Sequence, residues 1–190
     1  TYTGRLISLA TRDPRLLFEA VSRLDHEKLI DPDQFRIQWY VDAGSKAIIM
    51  QAATAYPVAR YMDFFDYVPA SEIPGVLNRS SILLQLANTF ASDGPKGFMT
   101  TKLFESMAVG KPLLCVKSDE SCLEATIRNT RSGLAARTAE EAFRFILHHY
   151  QFWQDNGYTH INTDKEAVER FSRKKQAEQF MRIFTRLNSK

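Results

Sequence analysis

Short apolar runs alternate with stretches of helical periodicity along most of this chain, and that alternation constrains the fold more than any other feature. Apolar runs bounded by turn formers read as strands, and apolar residues recurring three and four apart read as helices. Residues 4–10, 35–41, 62–68, 81–87, 113–116 and 133–136 are the predicted strands. Between them, Leu16, Leu17, Ala20, Val21 and Leu24 repeat with a helical period, as do Ala47, Ile48, Ile49 and Ala52. Asp13 and Pro14 are suited to open the first of these helices, and Ser71, Glu72, Ile73 and Pro74 open a short one that ends near Asn78. Residues 119–129 form another, and Thr138-Ala139-Glu140-Glu141 resembles a capping box that leads into a helix as far as about Trp153. Residues 163–187 read as two helices or one interrupted helix. This order predicts an α/β fold: a doubly wound, mostly parallel, Rossmann-like sheet of about six strands with helices on both faces. Ligands of such sheets bind outside the carboxyl ends of the strands, near the switch point. The loops at 9–14, 42–45 and 87–101 would meet there.

The chain has 190 residues, which suits a single domain over 1–190 with 163–190 as a helical tail. A net charge of +3 is mild and lacks the concentrated basic stripe that nucleic acid requires. Arg170, Arg173, Lys174, Lys175, Arg182 and Arg186 gather near the end and read as a solvated helix face. Cys115 and Cys122 form no CxxC, which fits a reduced, cytoplasmic setting. The apolar runs fall well short of the ~20 residues that span a bilayer, and no signal peptide is visible. The chain starts at Thr1 and enters a strand almost at once, so it is expected to be part of a longer protein.

The stretch 94–112 carries the most chemistry. Gly94, Pro95 and Gly97 punctuate a loop, and Thr100 or Thr101 can cap a helix that Gly110 stops and Pro112 keeps from resuming. Leu103, Phe104 and Met107 fall on one face, while Lys102 and Glu105, three apart, share the other. The unpaired amides of a helix start suit a phosphate, and Lys102 adds a cation. A carboxylate at Glu105 can accept two hydrogen bonds from a sugar diol. The helix dipole would also stabilise Glu105 with no ligand present.

The run Lys102-Leu103-Phe104-Glu105-Ser106-Met107-Ala108-Val109-Gly110-Lys111-Pro112 resembles the donor-binding signature of family 4-like glycosyltransferases with the GT-B fold. The resemblance implies that Glu105 holds the ribose hydroxyls of a sugar nucleotide. Gly4-Arg5-Leu6 and Glu19-Ala20 also match the family, and Arg12 falls where its diphosphate-binding Lys stands, in a slightly longer loop. Arg5 and Arg12 would then bind the diphosphate, for which the planar guanidinium is well shaped. Tyr67-Val68-Pro69 looks like the segment that lies against the nucleobase, and Thr100 and Thr101 would add bonds to phosphate. One departure is Gly97, which stands where the family often has a second Glu on the donor sugar; the amides of Gly97 and Phe98 would take over those contacts. The usual catalytic His belongs to an N-terminal half that is absent here. His26, His148, His149 and His160 occupy no predicted strand-end loop.

The resemblance implies the donor-binding half of a glycosyltransferase that moves a hexose, with retention, to a saccharide or lipid-linked acceptor in glycan or polysaccharide biosynthesis. It implies no metal and no cofactor beyond the nucleotide sugar itself. The acceptor would come through the absent half, so this piece alone would bind donor without turning it over. The full protein would be cytoplasmic, with peripheral association at the inner membrane. Two alternatives stand beside this reading: a sugar-nucleotide epimerase of the same fold, and a non-catalytic nucleotide- or partner-binding domain. Asp31-Pro32-Asp33 is a DxD set in a predicted turn. No HExxH argues for zinc, and no G-x-G-x-x-G follows the first strand to argue for a nicotinamide.

Overall fold

The computed structural model describes residues 1–88 and 98–188. Six strands and eight α-helices follow one another as β1 (Tyr2–Thr3), α1 (Arg15–His26), β2 (Ile37–Tyr40), α2 (Ala43–Ala53), β3 (Met62–Phe65), α3 (Ile73–Arg79), β4 (Leu83–Leu86), α4 (Thr101–Val109), β5 (Leu113–Val116), α5 (Cys122–Asn129), β6 (Gly133–Ala136), α6 (Ala139–Asn156), α7 (Lys165–Glu169) and α8 (Arg173–Asn188) among the described residues. All strand pairs are parallel, in two sheets ordered β1-β2-β3 and β4-β5-β6. Thr1 joins them. Its carbonyl accepts from the Leu84 amide at 2.8 Å, and its α-amino group donates to the Ile82 carbonyl at 2.8 Å. The spatial order is therefore β3-β2-β1-β4-β5-β6, which reverses between β1 and β4, and that reversal is the switch point of a doubly wound sheet.

The central strands are buried on both faces, as parallel strands between helix layers must be. Leu84, Leu86, Leu114 and Val116 pack with Leu17, Phe18 and Val21 of α1 and Phe143 and Ile146 of α6. The alternate residues Leu83, Leu113 and Cys115 pack on the other face with Leu103 and Met107 of α4 and Leu123 and Ile127 of α5. Trp39 on β2 is fully buried, with Tyr2 and Phe18 at ring-centroid distances of 5.4 and 6.2 Å.

Local signals fix two helix starts and two helix ends. Asp42 Oδ1 accepts from the Ser45 amide at 2.7 Å and caps α2. Thr138 Oγ1 accepts from the Glu141 amide at 3.2 Å, while Glu141 Oε2 reaches back to the Arg137 amide at 2.7 Å, a variant of the expected capping box. Gly110 and Gly157, with φ of 72° and 78°, end α4 and α6 in the left-handed region.

The first strand departs from expectation. Residues 4–10 are not a strand; β1 is Tyr2–Thr3, and Gly4 turns the backbone out of the sheet with φ of 134°. Leu6 remains buried, but its backbone finds a substitute for the ladder. Its amide donates to Ser45 Oγ at 2.9 Å, and that hydroxyl donates back to the Leu6 carbonyl at 3.2 Å. Ile7 is 72% exposed, so the apolar run that read as a buried strand is a pinned loop. At the other end of the chain, α8 exposes Phe180, Ile183, Phe184 and Leu187, which share one face by their spacing, as well as Met181, while Lys175, Arg182 and Arg186 fall on the opposite face. Among the described residues no helix is long and apolar enough to cross a membrane.

Gly133 opens β6 where a Cβ would lie 1.8 Å from the Leu113 carbonyl oxygen. The obstacle is backbone inside a sheet and cannot rotate away. Gly133→Ala is expected to cost about 1–3 kcal/mol, read as a lower urea midpoint with an unchanged slope.

Candidate functional site at the switch point

The site begins with Gly4. A Cβ there would lie 1.6 Å from Lys102 Nζ. The amine of α4's second residue thus rests on the turn that leaves β1. Lys102 Nζ also lies 5.6 Å from the centroid of the Tyr2 ring. Burial, and then the nearby Arg12, push the Lys102 amine down to about 8, while Glu105 opposes them. Arg12, Lys102 and Glu105 are therefore within electrostatic reach of one another.

Arg12 spans the switch point. Its Nε donates to Asn88 Oδ1 at 2.7 Å, from the loop after β1 to the end of the β4 segment. Its Nη1 donates to the Arg5 carbonyl at 2.5 Å, which also accepts from the Tyr2 hydroxyl at 3.3 Å. The loop itself is closed by the amides of Thr11 and Arg12, which donate to the Ser8 carbonyl at 3.3 and 3.1 Å. The backbone of Arg5 is fixed by these bonds, but its side chain is 71% exposed and lies 3.5 Å from Asp42. Asp42 also accepts from the Tyr67 hydroxyl at 2.9 Å. Its bond from the Ser45 amide, then the Tyr67 hydroxyl, hold the carboxyl below the usual carboxylate range.

The start of α4 is less capped than the sequence suggests. Thr100 occupies the N-cap position with extended backbone, yet its hydroxyl accepts no bond from the helix. That oxygen is buried with no hydrogen-bond partner among the described residues. A buried hydroxyl left unpaired is costly and calls for an explanation. Thr101 and Glu105 are exposed, and Glu105 makes no hydrogen bond or ion pair among the described residues. Its carboxylate therefore faces solvent rather than the core.

Of the residues singled out in the sequence, the fold gathers Arg5, Arg12, Lys102, Thr100, Thr101 and Glu105 around the carboxyl ends of β1 and β4. Tyr67 joins them through Asp42, and Val68 follows half-buried beside it. Phe98 is 48% exposed just ahead of α4. Gly97 lies outside the described residues. Arg15, the first residue of α1, is instead engaged by Asp13, with bonds of 2.9, 3.1 and 2.7 Å to its carboxylate. The sequence reading missed Asn88 and the bridging role of Asp42. Asp42 stood only in a turn that leads into a helix, and nothing local signalled that it would cap α2 or face Arg5 and Tyr67. Asp31, in the DxD, accepts the Asp33 amide at 2.9 Å and so closes its own turn.

No protein-family profile matches this chain, and no curated protein sequence matches it. Solved structures do. The Anabaena protein HepE in complex with UDP-glucose overlays with a TM-score of 0.65 at 16% identity, covering 97% of this chain and 47% of that one. AviGT4, a glycosyltransferase involved in avilamycin A biosynthesis, overlays with a TM-score of 0.63 at 16% identity, covering 98% of this chain and 50% of its own. A glycosyltransferase from Rickettsia africae gives 0.63 at 18% identity, covering 97% and 46%. The chain spans about half the length of each. At these identities the likeness is one of fold: the chain has the Rossmann-like α/β fold of the C-terminal domain of GT-B glycosyltransferases.

Proposed function

We propose that this chain is the donor-binding half of a glycosyltransferase, which holds a nucleotide-diphosphate sugar at the switch point of its sheet. The observation that carries the reading is the convergence of Arg12 and Lys102 on the turn that leaves β1, with the Arg5 side chain exposed on the same turn beside Asp42, next to an α4 start whose Thr100 hydroxyl has no partner among the described residues. Cations and free helix-start groups at one place are what a diphosphate requires. Glu105, exposed and about one helical turn from Lys102, would accept two hydrogen bonds from the ribose diol. Tyr67 and Val68 would flank the base, and backbone amides near Gly97 and Phe98 would meet the sugar. The solved likeness with bound UDP-glucose makes UDP the first nucleotide to try.

The mechanism follows from where charge develops. When the sugar–phosphate bond breaks, negative charge grows on the leaving diphosphate, and cations fixed beforehand stabilise that change more than they stabilise the bound donor. Arg5, Arg12 and Lys102 would do this without a metal. The hexose would pass, with retention, to a saccharide or lipid-linked acceptor held by a second half of the protein. The piece alone would bind donor without turnover. The full protein would act in glycan or polysaccharide synthesis in the cytoplasm, with peripheral contact at the inner membrane. An epimerase would need acid–base groups around the sugar, and no His lies among the residues gathered here.

Calorimetric titration with UDP, GDP and ADP tests the reading. At least one should bind, and Glu105→Ala should weaken it roughly ten- to a hundred-fold, the cost of losing hydrogen bonds to a charged group. Binding of none would favour a partner-binding role.

The Lys102 amine supplies a second test. In the free protein it loses its proton as pH rises through about 8, and a bound diphosphate would restore the usual higher value. Affinity should therefore fall as pH rises above that point, and binding near pH 8.5 should take up a proton. Buffers of different ionisation enthalpy would show this as different apparent binding heats, and Lys102→Met should abolish the difference. In the unliganded chain the sign for stability is the reverse. The folded amine lies below the ordinary lysine value of ~10.4, so the unfolded chain holds more protons between the two values, and stability rises with pH across that window.

A further inference from the structure

Asp42 stands just past the end of β2, beside the turn that carries Arg5. The Gly4 amide donates to the Tyr40 carbonyl at 3.0 Å and holds that turn against the end of β2. The two oxygens of Asp42 have different partners. Oδ1 accepts from the Ser45 amide at 2.7 Å and caps α2. Oδ2 accepts from the Tyr67 hydroxyl at 2.9 Å and lies 3.5 Å from Arg5 Nε. One carboxylate thus touches the start of α2, the loop after β3 and the turn after β1.

The three contacts are not equally firm. The Ser45 and Tyr67 bonds have ordinary hydrogen-bond lengths. The Arg5 contact is longer than a charge-assisted hydrogen bond, which falls at about 2.7–2.9 Å, and the Arg5 side chain is 71% exposed. Exposed ion pairs of this kind hold by a factor of about five at most. The backbone of Arg5 is fixed, because Arg12 Nη1 and the Tyr2 hydroxyl both donate to its carbonyl. The guanidinium can therefore change partner without moving the chain that carries it.

Asp42 keeps its charge while this happens. The bond from the Ser45 amide, then the one from the Tyr67 hydroxyl, hold its carboxyl below the usual carboxylate range. It is an anion at neutral pH whether or not Arg5 is beside it. Arg12 is placed differently, since its side chain bonds to the neutral oxygens of Asn88 and of the Arg5 backbone. A diphosphate reaching this turn would meet a competing anion at Arg5 and none bonded to Arg12.

We propose that Asp42 is a counter-ion gate: it holds the Arg5 guanidinium in the empty site, yields it to an arriving diphosphate, and takes it back as the spent nucleotide leaves. The proposal rests on the donor-binding reading above. Asp42 acts through Arg5 and is a positioning residue. Asp42→Asn tests it, because Asn caps a helix as well as Asp does and its amide oxygen can still accept from Tyr67, so that only the charge is lost. In calorimetric titration with UDP, Asp42→Asn should bind roughly two- to five-fold more tightly than the unaltered chain. The gain should shrink in about 0.5 M salt and vanish in an Arg5→Ala background. With no nucleotide present, the same substitution should shift the Arg5 Nε–H resonance. Unchanged or weaker binding by Asp42→Asn, a gain that survives without Arg5, or an unmoved Arg5 resonance would overturn the proposal. Failure of the unaltered chain to bind UDP, GDP or ADP would instead remove the donor reading, and this proposal with it.

Discussion

The amine of Lys102 rests where any side chain at residue 4 would have to be. That contact ties the end of β1 to the start of α4, two parts of the chain almost a hundred residues apart. It depends on a glycine for two reasons at once, since Gly4 also adopts a positive φ that other residues rarely reach. Around it the sheet reverses direction, Arg12 crosses to Asn88, and Ser45 takes over the backbone bonds of Leu6. The β1 turn and the first turn of α4 are therefore held together by the packing of the fold itself.

Electrostatics give the arrangement a direction. Arg12 and Lys102 repel each other, and burial works against the Lys102 charge as well. Arg5 is only loosely matched, at 3.5 Å from Asp42 and largely in water, where such a pair contributes little. Asp13, by contrast, takes Arg15 out of play with a two-pronged grip. Some basic groups of the first loop are thus neutralised within the fold and others are kept available. A cluster of like charge gains most when an anion arrives, and gains further if that anion's charge then increases.

Much of this was legible in the sequence. Strands β5 and β6 fall where Leu113 to Val116 and Gly133 to Ala136 place them, because strands buried on both faces are continuous apolar runs with turn formers at their ends. Gly110 and Gly157 marked helix ends for a local reason, their positive φ. The first strand was misread for a non-local reason: Leu6 looks like ladder backbone, and only the fold brings Ser45 to replace the ladder. Thr100 was misread as a side-chain cap, since spacing cannot show whether a hydroxyl turns toward the helix. Asn88 and Asp42 were invisible as site residues because their partners are distant in sequence. The motif at 102–112 gave the carboxylate and the amine, and the fold supplied the neighbours.

The central claim is that a diphosphate sits between the β1 turn and the first turn of α4. Amide shift mapping by NMR on addition of UDP tests it most directly. The account predicts the largest changes at Gly4, Arg12, Thr101 and Lys102, with the amino ends of the strands undisturbed. Changes confined to the region of Arg36, Ser81 and His149, or none at saturating nucleotide, would contradict it.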